Sequence, residues 1–263
     1  TIETLKHCKE VGIKHYRLSC KLFPLVTDPT LKIQVELLPY WNILEQKLME
    51  IGRVSRELNI TMSIHPDQFV VLGSDSDDVC NKSIAELNFH AWLLDQMKIP
   101  QTHNCPINIH PSLSNFESAE KFVDKFVRNF FRCDMGVRNR LVLENEDKGF
   151  WNCTNLHDYF HNYMKQVYGF YFPLTYDNLH DTANPSILPD GSAVPFKNNF
   201  MKFFQTWSVA PVFHWSEAEV GTKRNHAKNL TTAPPDMGLD VTWEIEVKGK
   251  DKAFIHLIKR LHN

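Results

Sequence analysis

The sequence predicts an α/β fold of the TIM type, a (β/α)8 barrel that lacks its first strand and shows seven βα units. Short β-branched or aromatic runs alternate with longer amphipathic stretches over all 263 residues. Such alternation implies parallel strands joined by right-handed crossovers. The pattern begins with a helix, and eight strands close a barrel, so a missing first strand explains the count. No linker interrupts the pattern, which predicts a single domain over residues 1–263.

The strands are predicted from seven runs rich in β-branched and aromatic residues, which are Lys14–Ser19, Ile60–His65, Ile107–His110, Leu141–Asn145, Phe172–Asp177, Val212–Ser216 and Asp240–Glu246. Apolar residues at three- and four-residue spacing predict the helices between them. These helices are Thr4–Glu10, Leu37–Leu58, Val79–Met97, Ser118–Phe131, Asn155–Val167, Asn198–Trp207 and Asp251–His262. Long loops follow several of the strands, and in a barrel the C-terminal rim of the strands carries the active site.

Composition excludes several classes of protein. The 29 Lys and Arg residues against 31 Asp and Glu give a net charge of −2, so bulk charge does not bind nucleic acid or an anionic membrane. No apolar run approaches the about 18 residues of a membrane span. Six cysteines without a CxxC spacing favour a reduced, intracellular compartment.

Six of the predicted strands each end in a polar residue, and these residues follow one another at intervals of 32 to 45 positions. These side chains are His65, His110, Glu144, Asp177, His214 and Glu246. Any one of them, taken alone, is explained as a structural residue whose side chain is hydrogen-bonded. Six unpaired groups at one rim would each cost several kcal/mol, so they must satisfy one another or bind cations between them. Their nitrogen and oxygen ligands suit Mn²⁺, Mg²⁺ or Zn²⁺, and His180 and His226 follow in the adjoining loops.

Two carboxylates of the last strand share one face, because strand side chains alternate. Glu246 is nearer the C-terminal rim and is the predicted ligand, whereas Glu244 is expected to lie deeper.

An ordered set of motifs resembles the UV damage endonuclease family, TIM-barrel relatives of endonuclease IV. The matching pieces run over nearly the whole chain: Arg17–Ser19, Leu22–Pro24, His65–Val70, Ile109–His110, Leu143–Glu146, Asp177–His180, Phe213–Ser216, Arg224–Ala227 and Glu246–Lys250.

The resemblance implies a DNA repair enzyme that hydrolyses the backbone 5′ of pyrimidine dimers, photoproducts and other distorting lesions. It implies two or three divalent cations, with Mn²⁺ favoured over Zn²⁺ and Mg²⁺. One would be held by His65, His110 and Glu144, and a second by Glu144, Asp177, His214 and Glu246. A third would lie near His180 and His226. The expected catalytic residues are Glu144, His65, His110, Asp177 and Glu246.

The implied partner is damaged double-stranded DNA, bound by a monomer wherever the genomic DNA lies. Gln68 and Phe69 occupy the lesion-probing position of the family. Rim cations would contact phosphates, although a run of lysines is also typical of a solvated face. The cations are Lys148, Lys223, Arg224, Lys248 and Lys250.

Three positions depart from the family. Its N-terminal strand has no counterpart here, and Asp28 stands where bacterial members carry a histidine near the lesion. Val212 stands where they carry a lysine that can be carboxylated, and valine cannot supply that ligand to a third cation.

Two other classes stay open at this point. A divalent-metal sugar isomerase or epimerase of the xylose-isomerase-like barrel type uses similar strand-end ligands, although the Gln68–Phe69 pair and the cationic rim have no obvious use there. A catalytically inactive binding module is the third class: the departures at Asp28 and Val212 keep it open, and convergence of all eight predicted ligands would argue against it.

Overall fold

The fold is described from a computed structural model that covers residues 1–112 and 116–261. Strands and helices alternate along the chain in the predicted order. The chain divides into two compact units, Thr1–Val142 and Leu143–Asn263, and the division falls inside a strand. Each unit is described by itself, and the single domain over residues 1–263 stays a prediction. Within the described residues, no helix has the length and apolarity needed to cross a bilayer.

The predicted strands are confirmed, and each observed strand lies inside its predicted run. Within the described residues they are β1 (His15–Leu18), β2 (Thr61–Ile64), β3 (Ile107–Ile109), β4 (Leu141–Glu144), β5 (Leu174–Thr175), β6 (Val212–Trp215) and β7 (Thr242–Ile245). Strand β5 is the shortest of these, and it begins directly after Pro173, which has no amide hydrogen to donate to a neighbouring strand.

The helices extend the predicted set. They are α1 (Ile2–Glu10), α2 (Trp41–Leu58), α3 (Asp77–Gln96), α4 (Ala119–Phe130), α5 (Met135–Arg138), α6 (Cys153–His157), α7 (Met164–Tyr168), α8 (Asn178–Ala183), α9 (Phe196–Phe204) and α10 (Lys250–Leu261). A π-helical turn, Asp158–Tyr163, joins α6 to α7. The short helices α5 and α8 lie in segments predicted as loops. The predicted end of the last helix, His262, lies outside the described residues.

The predicted start of the second helix is wrong. The predicted helix from Leu37 is a 3-10 turn, Val35–Leu37, followed by extended backbone at Leu38 (φ −64°, ψ 142°), and α2 begins only at Trp41. Pro39 explains the break, because its ring disfavours helical backbone at the preceding residue.

In the first unit, parallel strands align their C-terminal ends. Strand β1 pairs with β2 from His15↔Thr61 to Leu18↔Ile64, and β2 pairs with β3 at Ile64↔Ile107. The amide of Ile107 donates to Arg140 O at 3.0 Å, at the start of β4. His65 follows β2 and His110 follows β3, so both lie at the C-terminal edge of this parallel sheet.

The second unit repeats this arrangement. Strand β4 pairs with β5 at Glu144↔Thr175, and β6 pairs with β7 over four residues, including His214↔Glu244. The amide of His214 donates to Tyr176 O at 2.9 Å, which places β6 beside the end of β5. An aromatic core packs against β6, with the rings of Phe200 and Phe213 centred 5.4 Å apart.

Replacing Gly52 with alanine tests the close packing of α2 on the end of α3. A Cβ at Gly52 would lie 1.5 Å from Met97 O, and the nearby Arg56 guanidinium donates to Lys98 O at 3.0 Å. We expect Gly52→Ala to lower the free energy of unfolding by about 3 kcal/mol or more, because main chain must move to relieve the clash. Urea denaturation measures it against Gln46→Ala, an exposed change on the same helix. Equal stability of the two variants would contradict this packing.

Candidate metal centre

Three carboxylates meet at the C-terminal strand ends of the second unit. Glu144 ends β4, Asp177 follows β5 and Glu246 follows β7. Glu144 and Asp177 are almost completely buried, at 1% and 0% exposure, and the side chain of Glu246 is 12% exposed. Burying carboxylates together is unfavourable unless positive charge compensates them.

Two histidines supply that charge. His214 Nδ1 lies 3.1 Å from Glu144 Oε1, 3.4 Å from Glu246 Oε1 and 3.8 Å from Asp177 Oδ2. His180 Nδ1 lies 3.2 Å from the same oxygen of Glu144 and 2.9 Å from Asn145 O. The predicted convergence of Glu144, Asp177, His180, His214 and Glu246 is therefore observed within the second unit.

Proton affinities in this cluster are strongly altered. Burial lowers the pKa of His180, but Asp177 and Glu144 outweigh it and raise the pKa to about 11. Burial likewise opposes protonation of His214, and Glu144 and Glu246 raise its pKa to about 10. Burial raises the pKa of Asp177 above its ordinary value, and the carboxylates of Glu144 and Glu246 add to the effect against the pull of His180.

The cluster fits a divalent cation. Ligand atoms of Glu144, Asp177 and His180 lie within 4.8 Å of one another, as do those of Asp177, His214 and Glu246. Asp177 Oδ2 is buried and accepts no hydrogen bond from the described residues. Carboxylate oxygens and imidazole nitrogens without a thiolate suit Mn²⁺, Mg²⁺ or Zn²⁺.

Two asparagine amides hold the strand ends beside one another. Asn145 Nδ2 donates to Asp177 O at 3.0 Å, and Asn145 Oδ1 accepts from the Asp177 amide at 2.8 Å. Asn178 bonds Ser216 in the same way, at 2.9 and 2.8 Å. These bonds extend the strand pairing into the loops, so the ligands start from a fixed frame. Sequence analysis found the motifs that contain both asparagines but not these bonds.

Helix α8 is held in place by Asp177 at its start and by Asp181, a buried residue that the sequence did not point to. Asp177 Oδ1 caps the helix by accepting from the His180 amide at 2.7 Å. The carboxylate of Asp181 accepts from Tyr176 Oη at 2.7 Å and from Asn199 Nδ2 at 3.0 Å. Asn199 lies 18 residues after Asp181 in the sequence, so the fold, and no local motif, brings the network together.

The first unit brings together the other two predicted ligands. The rings of His65 and His110 are centred 5.3 Å apart. His65 Nδ1 donates to Pro66 O at 3.0 Å, so Nε2 is the nitrogen that carries the lone pair. Their predicted sharing of Glu144 stays a prediction.

His226 lies beside Glu246, with Nδ1 3.0 Å from Glu246 O and Nε2 3.6 Å from Glu246 Oε2. The predicted third site, shared by His180 and His226, stays a prediction, since the structure groups His180 with Glu144 and Asp177.

The loop that carries His226 is clamped by one carboxylate. Glu217 accepts from the amides of Thr231 and Thr232 at 2.9 and 2.7 Å, and from both of their hydroxyls at 2.8 Å. Trp215 Nε1 donates to Thr232 O at 3.3 Å. Several distant contacts therefore order the loop.

Gln68 and Phe69 lie exposed on a tight turn after β2. The Val70 amide donates to Asp67 O at 3.1 Å, and Asp67 Oδ1 accepts from the Gln68 amide at 2.8 Å. Val70 is buried, whereas Phe69 is 75% exposed, so Phe69 does not anchor the loop. A large apolar side chain is thus presented to solvent on an ordered turn.

The predicted phosphate-binding cations are exposed, four of them on loops and Lys250 at the start of α10, and two of them have acidic neighbours. Lys248 Nζ lies 2.6 Å from Glu219 Oε2, and Arg224 Nη1 lies 3.5 Å from Asp147 Oδ2. The remaining members of the set are also exposed, and they are Lys148, Lys223 and Lys250.

The two internal departures from the family have simple structural roles. Asp28 Oδ1 accepts from the Thr30 amide at 2.8 Å and from its hydroxyl at 2.6 Å, as a turn residue does. Val212 is buried at 2% exposure in β6, opposite Thr242.

Comparison with known proteins identifies the family. The family model described as UV-endonuclease UvdE matches residues 1–263. This chain belongs to that family. It is 29% identical over 264 residues to a UV-damage endonuclease of Neurospora crassa, which covers 95% of this chain and 38% of the relative. It is 28% identical to a UV DNA damage endonuclease of a Nostoc species, with 97% and 74% covered. The chain thus spans well under half of the fungal relative's length.

Solved structures confirm the TIM-type barrel. The crystal structure of SacUVDE matches with a TM-score of 0.80 and 27% identity, covering 99% of this chain and 84% of that one. A D-psicose 3-epimerase from Clostridium cellulolyticum matches with a TM-score of 0.57 at 9% identity, which shows a shared fold alone.

Cation uptake by the second-unit cluster should release protons. His180 and His214, with pKa values of about 11 and about 10, are protonated at pH 7.5 without a cation, and each must lose a proton to become a ligand. We expect about one proton per cation bound, and affinity that rises as pH increases from 6 to 9. Calorimetric titration with Mn²⁺ in buffers of different ionisation enthalpy measures the release. Uptake without proton release would contradict this charge arrangement.

Proposed function

We propose that this chain is a divalent-metal-dependent endonuclease that hydrolyses the DNA backbone 5′ of UV lesions and other distorting damage. Membership of the UV-endonuclease family carries the proposal. The cluster of Glu144, Asp177, His180, His214 and Glu246 supports it, because this donor set suits divalent cations. Likeness to epimerases is confined to the fold.

The ligands of the proposed enzyme would be His65, His110, Glu144, Asp177, His180, His214, His226 and Glu246. Bound Mn²⁺, with Zn²⁺ or Mg²⁺ as alternatives, would neutralise phosphate charge and lower the pKa of water toward 7. Two or three such ions are proposed. Glu144 has the central role, because its Oε1 lies within 3.2 Å of both His180 and His214.

The chain's own residues prepare the site for an anionic substrate. Asp177 joins both ligand groups of the second unit and caps α8 through its other oxygen. The Asn145 and Asn178 amides hold the strand ends, so little reorganisation accompanies phosphate binding. Neutral histidine ligands complete coordination without adding negative charge beside the phosphate.

Lesion recognition is assigned to the turn after β2. A damaged dinucleotide unstacks at lower cost than intact DNA, and a wedge side chain exploits that difference. Phe69 is exposed enough to enter the stack, and the amide of Gln68 can bond to the unpaired bases. The rim cations Lys148, Lys223, Arg224, Lys248 and Lys250 would bind the phosphates, with Arg224 and Lys248 exchanging their carboxylate neighbours for DNA. We propose that a monomer acts inside the cell on genomic DNA.

Changing Glu144→Gln should abolish nicking of a damaged duplex. The amide keeps the shape of the side chain but removes the negative charge beside His180 and His214. The measurement is Mn²⁺-dependent cleavage of an end-labelled duplex that carries one cyclobutane pyrimidine dimer, with an undamaged duplex alongside. Glu120→Gln, an exposed change in α4, is the matched control and should cleave as the unmodified protein does. Full activity of Glu144→Gln would refute the role of this carboxylate, and absence of lesion-dependent cleavage by the unmodified protein would overturn the proposed function.

Changing Phe69→Ala should weaken discrimination of damaged from intact DNA more than it weakens DNA binding as such. Stacking of a base on an aromatic ring contributes about 1–3 kcal/mol, so we expect roughly a tenfold loss or more in damaged-duplex affinity. Fluorescence anisotropy with both duplexes measures the ratio. Phe131→Ala is the control, since Phe131 is another exposed ring, at 49% exposure, but lies directly after α4 and not on the turn after β2. Equal losses on both duplexes would remove the case for a lesion probe.

A further inference from the structure

His214 presents its ring nitrogens differently from the neighbouring histidines. In His180 and His226, Nδ1 faces a backbone carbonyl, Asn145 O at 2.9 Å and Glu246 O at 3.0 Å, and His180 Nδ1 also lies 3.2 Å from Glu144 Oε1. A carbonyl only accepts, so these rings hold a proton on Nδ1 and present Nε2. In His214 it is Nδ1 that faces the ligand carboxylates, 3.4 Å from Glu246 Oε1.

A fourth carboxylate lies on the other side of the His214 ring. Glu244 Oε2 lies 3.4 Å from His214 Nε2, within ion-pair distance although no hydrogen bond joins the two atoms here, and Glu244 is 8% exposed. Pairing of β6 with β7 places the two residues opposite each other at His214↔Glu244. Glu244 precedes Glu246 by two residues, so the two side chains point to the same side of the chain. Glu246 contacts Nδ1 of the His214 ring and Glu244 contacts Nε2.

We propose that Glu244 is a positioning residue: its carboxylate accepts a hydrogen bond from Nε2–H of His214 when a divalent cation is bound at Asp177, His214 and Glu246, which keeps the proton on Nε2 and leaves Nδ1 for the cation. The inference rests on the proposed function for the presence of that cation. A carboxylate behind a ligating histidine fixes the tautomer and ring orientation and raises ligand basicity. Removing such a partner weakens metal affinity about 10–100-fold.

Two substitutions distinguish the effect of the hydrogen bond on metal affinity from the effect of the negative charge of Glu244. Glu244→Gln removes the charge but keeps a carbonyl oxygen that can accept a hydrogen bond from Nε2–H, whereas Glu244→Met removes both the charge and the acceptor at similar volume. Thr242→Val is the control, since Thr242 lies two residues earlier on the same face of β7. Binding of Mn²⁺ alone, without DNA, is measured by calorimetry, and circular dichroism checks folding.

We expect Glu244→Met to weaken Mn²⁺ binding about 10–100-fold. Glu244→Gln should lose distinctly less, and Thr242→Val should bind as the unmodified protein does. Equal losses in the methionine and glutamine variants would assign the effect to charge and overturn the proposal. So would unchanged affinity in the methionine variant.

A second measurement on the unmodified protein keeps the proposal testable if Glu244→Met fails to fold. Nitrogen NMR of ¹⁵N-histidine-labelled protein loaded with Zn²⁺ shows which ring nitrogen keeps its proton, and His214→Asn assigns the signal. We expect a proton on Nε2 of His214, and a proton on Nδ1 would overturn the proposal. Because neither measurement uses DNA, failure to nick damaged DNA with these results intact would count against the proposed function alone. Absence of Mn²⁺ and Zn²⁺ binding would overturn both.

Discussion

The second unit depends on the burial of several carboxylates within reach of one another. Glu144 and Asp177 are shielded from water and Glu246 nearly so, an arrangement that needs positive charge to persist. Protons on His180 and His214 provide that charge when no cation is bound, which is why their pKa values rise so far above the ordinary value. Stability of the fold and affinity for a divalent ion therefore come from the same electrostatic requirement, since a cation and these protons compensate the same carboxylates.

Hydrogen bonds from residues outside the ligand set build the frame in which this charge is held. The amides of Asn145 and Asn178 continue the strand pairing past the last backbone bonds, and Asp181 fixes α8 from behind through Tyr176 and Asn199. These bonds do not require ionisation of the ligand side chains. Ligand positions are thus set by hydrogen bonds and packing, whereas their protonation is set by the cluster itself. That division lets the site change its charge without losing its geometry.

Sequence patterns predicted the strands and the second-unit ligand cluster because both obey simple periodicities. Each buried strand ends in a polar residue about one βα unit after the last, and parallel pairing brings such ends to one edge. The patterns did not predict the start of α2, where Pro39 overrides an amphipathic run, or the short helix α8, which depends on the Asp177 cap. Partners such as Asp181 and Glu244 were missed or left without a role, because they act through contacts whose distance and angle exist only in the folded chain. The exposure of Phe69 belongs to the same class, since it depends on which side of a turn faces solvent.

The contact between Trp215 and the following loop gives the protein an internal optical reporter. The indole of Trp215 bonds to Thr232 O and lies 5.7 Å from the Trp243 ring, centre to centre. Indole emission responds to hydrogen bonding and to neighbouring aromatic rings. Any rearrangement of the loop held by Glu217 would therefore change the emission of Trp215, one of the six tryptophans of the chain, without an attached dye.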